Sequence, residues 1–209
     1  MRFEQIINIV FVGSFPTGVI DERELFGGNI DPANFIKTGP ILQCKYVSGQ
    51  YELLCTPDRI DLRLFENLDD CNDLIEASIL VADKLENLKQ MVRTTAIGFN
   101  YEGAIRQSSI GKTGIQYCND LINIDRLIQI TGENNIFSKC NVVFNKPPFQ
   151  YTIKIEPHVR SDGADLFFAV NGHQLINQTP KELFSEKIKR YEEFFGYTEN
   201  LIQQIENRN

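Results

Sequence analysis

The residues of this chain that could carry chemistry are few and scattered. Gly111-Lys112-Thr113 has the ending of a phosphate-binding P-loop. In that cradle, G-x-x-x-x-G-K, the first glycine lets the backbone curl so that its amides face an anion. Arg106 stands in that place, and the stretch after Thr113 does not read as opening directly into a helix. The pattern argues against a nucleotide P-loop.

The two histidines, His158 and His173, fall in neighbouring strand patterns. A hairpin turning at Asp162-Gly163 would set them about six residues apart, roughly 20 Å at the usual rise of a strand. A shared metal is not expected, and no metal or cofactor is assigned. No lysine has a carboxylate two residues before it, so the metal-nuclease arrangement of an acid beside a lysine is missing. There is no G-x-S-x-G nucleophile elbow. The carboxylate pairs Asp58/Asp61 and Asp162/Asp165 read as exposed groups at strand ends. The five cysteines, Cys44, Cys55, Cys71, Cys118 and Cys140, are odd in number, widely spaced and free of C-x-x-C, which favours free thiols over a disulfide framework or a zinc ribbon.

Charge narrows the partners. Residues 1–80 hold 6 Lys and Arg against 13 Asp and Glu, which accounts for the whole net charge of −7. With no surplus of basic residues to release counterions, nucleic acid is not an expected partner. Phe99, Tyr101 and Arg106 give a weak aromatic–basic pattern that a core strand face explains better. Lys84, Lys89, Arg93, Arg106 and Lys112 form a local basic run; a ligand-binding reading would draw its anion contacts from Arg93, Arg106 and Lys112.

The elements that must position these residues read as α+β. Phe3–Val12 is strand-like, and Ile6–Val12, broken by Asn8 and without a basic lead-in, reads as a strand and not as a signal peptide. Residues 13–40 are rich in Gly and Pro, with an acidic tip at Asp21–Glu24 beside Leu25 and Phe26. Connections this long tend to be functional or interface-forming. Ile41–Val47 and Tyr51–Phe65 read as a hairpin turning at Ser48-Gly49-Gln50, with Ile60, Leu62 and Leu64 facing a core and Arg59, Asp61 and Arg63 facing away. Depending on the turn, Cys44 and Cys55 would lie opposite or offset. Asp73–Met91 follows as a helix with an apolar stripe of Ile75, Ile79, Ala82, Leu85, Leu88 and Val92. Thr94–Ile105 returns to strand, Ser108–Gly114 reads as loop, and Asn119–Ile130 as helix, although its aliphatics also fit strands.

A second hairpin and helix follow. Val142–Phe144, a break at Pro147-Pro148, Gln150–Pro157 and Asp165–Val170 lead through an Asn171-Gly172 turn to a helix opened by the capping box Thr179-Pro180-Lys181-Glu182. Phe184, Ile188, Tyr191, Phe195, Ile202 and Ile205 make its inward stripe; Phe194, Tyr197 and Leu201 widen it beyond one face. That surplus edge predicts a second contact, with another subunit or with the other half of the chain.

The expected fold is therefore α+β: antiparallel sheet(s) with two long amphipathic helices packed on one side, built from pseudo-duplicated hairpin–helix units. One domain of two intimately packed halves, about 1–107 and 108–209, is expected, and no segment is apolar enough for a membrane span. The functional expectation is a non-enzymatic, cytoplasmic interaction or assembly subunit, self-associating or part of a bacterial or phage complex. Its partner contacts would be Phe194, Tyr197, Leu201, Leu25 and Phe26. The alternative is a small-molecule or nucleotide binder gated by the 13–40 loop, and the third reading is an enzyme using dispersed carboxylates.

Overall fold

The computed structural model describes residues 2–16, 36–38, 41–45, 51–65, 71–122, 124–131, 138–176 and 184–207. The acidic tip with Leu25 and Phe26, the turn at residues 48–50 and the Thr179–Glu182 capping box lie outside them. Among the described residues nine strands form one antiparallel sheet. They are β1 (Arg2–Ser14), β2 (Ile36–Thr38), β3 (Ile41–Lys45), β4 (Tyr51–Thr56), β5 (Arg59–Phe65), β6 (Arg93–Ile105), β7 (Cys140–Lys146), β8 (Phe149–Pro157) and β9 (Leu166–Leu175), in the order β2-β3-β4-β5-β1-β6-β9-β8-β7. The described helices are α1 (Cys71–Asn87), α2 (Gln107–Ile110), α3 (Gly114–Asp120), α4 (Ile124–Thr131), α5 (Phe184–Ile188) and α6 (Tyr191–Glu206). None of them is long and apolar enough to cross a membrane.

The residues gather into two compact units that alternate along the sequence. One comprises Met1–Gln5, Tyr101–Asn171 and Gly196–Asn209; the other comprises Ile6–Asn100 and Gly172–Phe195.

In the second of these units, β1 and β5 pair in a register that sets Ile7 against Leu64, Ile9 against Leu62 and Phe11 against Ile60. All six side chains are buried. Full burial of such residues contributes about 1.5–3 kcal/mol each. On the opposite face Asp61 does not sit in solvent as expected: it is fully buried. Its Oδ2 accepts from Arg59 at 2.8 Å and from Arg63 at 2.7 Å, and its Oδ1 accepts from Asn8 at 3.0 Å. The same period-two spacing that puts Arg59 and Arg63 beside Asp61 supplies the charge that makes its burial tolerable. The second arm of the first hairpin is two strands instead of one, because Pro57-Asp58 is a tight turn that pairs Thr56 with Arg59. Leu42 faces Cys55 and Cys44 faces Leu53, so those two cysteines are offset.

Helix α1 buries a face rotated from the expected one. Leu74, Ala77, Ser78, Val81, Ala82 and Leu85 point inward, while Ile75 and Ile79 are half-buried. Ser78 is tolerated there because its hydroxyl donates to the Leu74 carbonyl at 2.7 Å. Strand β9 runs on through Asn171-Gly172 to Leu175, so the expected turn at 171–172 is absent. The final helical segment is divided at Lys189-Arg190 into α5 and α6.

In the first unit, β7 and β8 form a hairpin closed by Pro147-Pro148, pairing Lys146 with Phe149 and Phe144 with Tyr151. Tyr101, Tyr151, Phe149, Phe168 and Leu166 are buried, with Tyr101 and Phe168 meeting edge to face at 5.4 Å. Arg2 reaches Glu199 at 2.7 Å and Glu206 at 3.0 Å on α6. Burial opposes the Arg2 charge, but hydrogen bonds to both carboxylates outweigh it and raise its pKa. Burial and the nearby Glu199 carboxylate raise the Tyr101 phenol.

Candidate functional site

A polar cluster lies in the first unit, where the start of β1 meets the end of β8 and the entry to α2. Glu4 lies within β1 at φ of +50°, a left-handed conformation that costs a non-glycine residue on the order of 1–2 kcal/mol. Its carboxylate bridges two groups: Oε1 lies 3.1 Å from Arg160 Nη1, and Oε2 lies 3.2 Å from His158 Nε2. A carboxylate only accepts, so Nε2 is assigned as the protonated nitrogen. His158 is buried, meets Phe3 edge to face at 5.5 Å, and has no hydrogen-bond partner at Nδ1 among the described residues. Arg106 also packs on Phe3, its guanidinium carbon 3.8 Å from the ring centroid.

Asp165 ties Arg106 down. Its Oδ2 is 3.5 Å from Arg106 Nη1, and its Oδ1 accepts from the Gln107 amide at 2.9 Å, which satisfies an open donor at the start of α2. Asp165 is buried, whereas Asp162 is exposed and left-handed at φ of +50°. The expected exposed pair is thus two carboxylates in different environments.

The Gly-Lys-Thr stretch is a junction between helices. Gly111 ends α2 in the left-handed region, and Thr113 caps α3, accepting from the Gln116 amide while the Gln116 side chain accepts from the Thr113 amide. Helix α3 therefore opens directly after Thr113, contrary to the sequence expectation, and the Ser108–Gly114 stretch is not simply loop. Helical structure around Asn119–Ile130 is also redistributed, into α3 and α4. Lys112 Nζ binds Asp120 at 2.8 Å. Gly114 and Ile115 donate their amides to the carbonyls of Ala164 and Gly163, docking α3 on the 162–165 turn. A Cβ on Gly114 would stand 2.0 Å from the Asp165 carbonyl oxygen, so this approach requires glycine.

Of the three expected anion contacts, Arg106 and Lys112 are in this unit, each held by its own carboxylate, while Arg93 is an exposed residue of the other unit. Phe194 is fully buried, 5.8 Å from Phe99 and 6.4 Å from Tyr191 between ring centroids. Tyr197 is half-buried against Tyr151 at 4.8 Å, with Lys146 Nζ 3.7 Å from its ring centroid; Leu201 is half-buried. The surplus aromatics of α6 are engaged inside their own units.

A cavity of about 560 Å³ opens beside the cluster, lined by Ile115, Pro157 and Val159 together with the polar Lys139, Glu156 and Asp162. Lys154 holds Glu156 at 2.7 Å. Cys118 is buried, and that burial, with Cys140 and Glu156 nearby, pushes its thiol up to about 12. Among the described residues no group of three or more His, Cys, Asp or Glu could hold a metal ion. Sequence reasoning missed the Glu4–His158 pair; no local pattern marks two residues 154 positions apart.

No family model matches the chain, and no curated protein matches it. Among solved structures it is similar to Methanococcus jannaschii TBP, at 12% identity over 80% of this chain and 86% of that one, with a TM-score of 0.30. It is also similar to a rolling circle replication initiator protein from Geobacillus stearothermophilus, at 9% identity over 83% of this chain and 73% of that one, with a TM-score of 0.26. At these scores neither likeness carries an argument.

Proposed function

We propose that the chain is a non-enzymatic cytoplasmic interaction or assembly subunit, self-associating or part of a bacterial or phage complex. The observation that supports this reading is strand β7. It is the outermost strand on its side of the described sheet, and it holds Val142 and Val143 at 44% and 59% exposure. An edge strand presents unpaired amides and carbonyls, and proteins usually blunt such edges with charge, proline or a covering segment. Apolar residues at that edge favour a protein partner. The pseudo-duplicated hairpin–helix plan, with both long helices on one side of the sheet, belongs to the same proposal. Light scattering on the purified chain at tens of micromolar, with recovery of complexes from native extract, tests it. A strict monomer that recovers no partner overturns it.

A second reading has its own support in the cavity of about 560 Å³, a size typical of small-molecule sites. Its ligand contacts would come from Lys139 and Asp162 and not from the Arg93, Arg106 and Lys112 set. Stabilisation against heat by a nucleotide or anionic metabolite, lost in Lys139→Ala, would favour it. No shift with any ligand of that screen would remove its support.

A further inference from the structure

We infer that the partner of β7 is the β7 of a second copy of this chain, paired antiparallel about a two-fold axis at Val143. This inference rests on the interaction reading above and adds the occupant and the register.

A two-fold antiparallel pair imposes a strict condition on sequence: each residue faces the one at an equal distance on the other side of the axis. About Val143, the run Asn141-Val142-Val143-Phe144-Asn145 is symmetric in polarity, an amide at each end and three apolar residues between, although Val142 and Phe144 differ in size. Val143 would face itself, Val142 would face the partner copy's Phe144, and Asn141 its Asn145. Lys146 would face Cys140, so no two like charges stand directly opposite, and there is no acidic residue in the strand to demand a basic partner.

The intrachain register sorts these residues onto two faces. Asn141, Val143 and Asn145 pair with Lys154, Thr152 and Gln150 of β8. Val142 and Phe144 pair with Ile153 and Tyr151, and the Phe144 and Tyr151 rings stack at 5.4 Å. Successive strand residues point to opposite faces. On the second face, therefore, the incoming Phe144 would extend this aromatic and aliphatic layer over Val142. On the first, Val143 would be covered by its copy between two amide pairs able to hydrogen-bond to each other. An acidic extended segment from another protein would satisfy Lys139 and Lys146 but would leave the symmetry of the run without a role.

The test is light scattering on the full chain, with disulfide trapping. The wild type is expected to be a dimer at tens of micromolar. Val143→Lys sets two ammonium groups against each other on the axis and should give a monomer with unchanged circular dichroism. Val143→Cys should form a covalent dimer under mild oxidation, because directly opposed strand residues have Cα atoms about 4.5–5.5 Å apart, within reach of a disulfide. Asn141→Cys should not, because the two copies of residue 141 would stand four positions apart along the pair. A dimer that survives Val143→Lys and is not trapped by Val143→Cys overturns this register while leaving self-association standing. A wild-type monomer that recovers a different protein overturns self-pairing but keeps the interaction reading.

Discussion

The carboxylate of Glu4 lies 3.2 Å from Nε2 of His158, and it gets there from a backbone twisted to φ of +50°. The carboxylate that this left-handed residue presents is shared between His158 and Arg160. Local strain and long-range contact therefore have opposite signs at one residue, and substitution separates them. Glu4→Ala keeps the strain and leaves the buried His158 Nε2–H without an acceptor, a loss on the order of 1–3 kcal/mol. Glu4→Gly loses the same contact but removes a steric cost of roughly 1–2 kcal/mol. Urea denaturation should place Gly above Ala, since both lose the His158 contact and only Gly relieves the strain. Equal midpoints for Gly and Ala would show that the left-handed backbone costs nothing.

Two glycines make opposite predictions. Gly114→Ala pushes a Cβ to within 2.0 Å of the Asp165 carbonyl oxygen. Either α3 lifts from the 162–165 turn or the turn opens, and a loss of at least about 2 kcal/mol is expected. Around Gly196, in α6, a Cβ meets nothing within 4 Å among the described residues. There Gly196→Ala should stabilise by roughly 0.5–1 kcal/mol, since alanine restricts the unfolded chain and favours helix. Thermal melts of the two variants moving in the same direction would contradict this reading of the backbone.

The sequence carried the strands better than the site, and the reasons differ residue by residue. Alternation in Ile60, Leu62 and Leu64 is a local, period-two signal, and their burial follows from it. The turn at Pro57-Asp58 interrupted what read as one strand because its flanks, Cys55-Thr56 and Arg59-Ile60, keep strand character up to the turn. The buried face of α1 is rotated by one step from the apolar stripe because Ser78 is inward, and its hydroxyl bond to the Leu74 carbonyl leaves no mark in the hydrophobic pattern. Gly111-Lys112-Thr113 resembles a phosphate loop because helix junctions and phosphate cradles draw on the same residue types, although Thr113 here caps α3 whereas a phosphate loop uses that hydroxyl on its metal ion. What no local pattern contained was pairing at a distance, as in Glu4 with His158 or Asp165 with the Gln107 amide.

Cysteine reactivity offers a test of burial. The Cys118 thiol is pushed up to about 12 by burial, with Cys140 and Glu156 adding to the effect, whereas Cys55 and Cys140 are half-buried. Only the thiolate reacts with alkylating reagents. Under native conditions near neutral pH, iodoacetamide should label Cys55 and Cys140 well before Cys118, as read by peptide mass spectrometry. Denaturant should abolish the difference. Early labelling of Cys118 in the folded chain would mean that α3 opens readily.

His173 predicts a pH dependence whose sign is fixed by its surroundings. Burial disfavours the imidazolium and lowers its pKa from the ordinary 6.5. The unfolded chain therefore binds the proton more readily than the fold between that lowered value and 6.5. Stability rises with pH wherever the unfolded state holds more protons. The contribution of His173 is thus fully present above the unfolded value of 6.5 and is lost as pH falls below it towards the lowered one. His173→Gln keeps a polar side chain of similar length and cannot titrate. Its urea midpoint should fall less steeply than the wild type's over that window, with the two curves parallel above it. Identical slopes throughout would show that His173 does not sense folding.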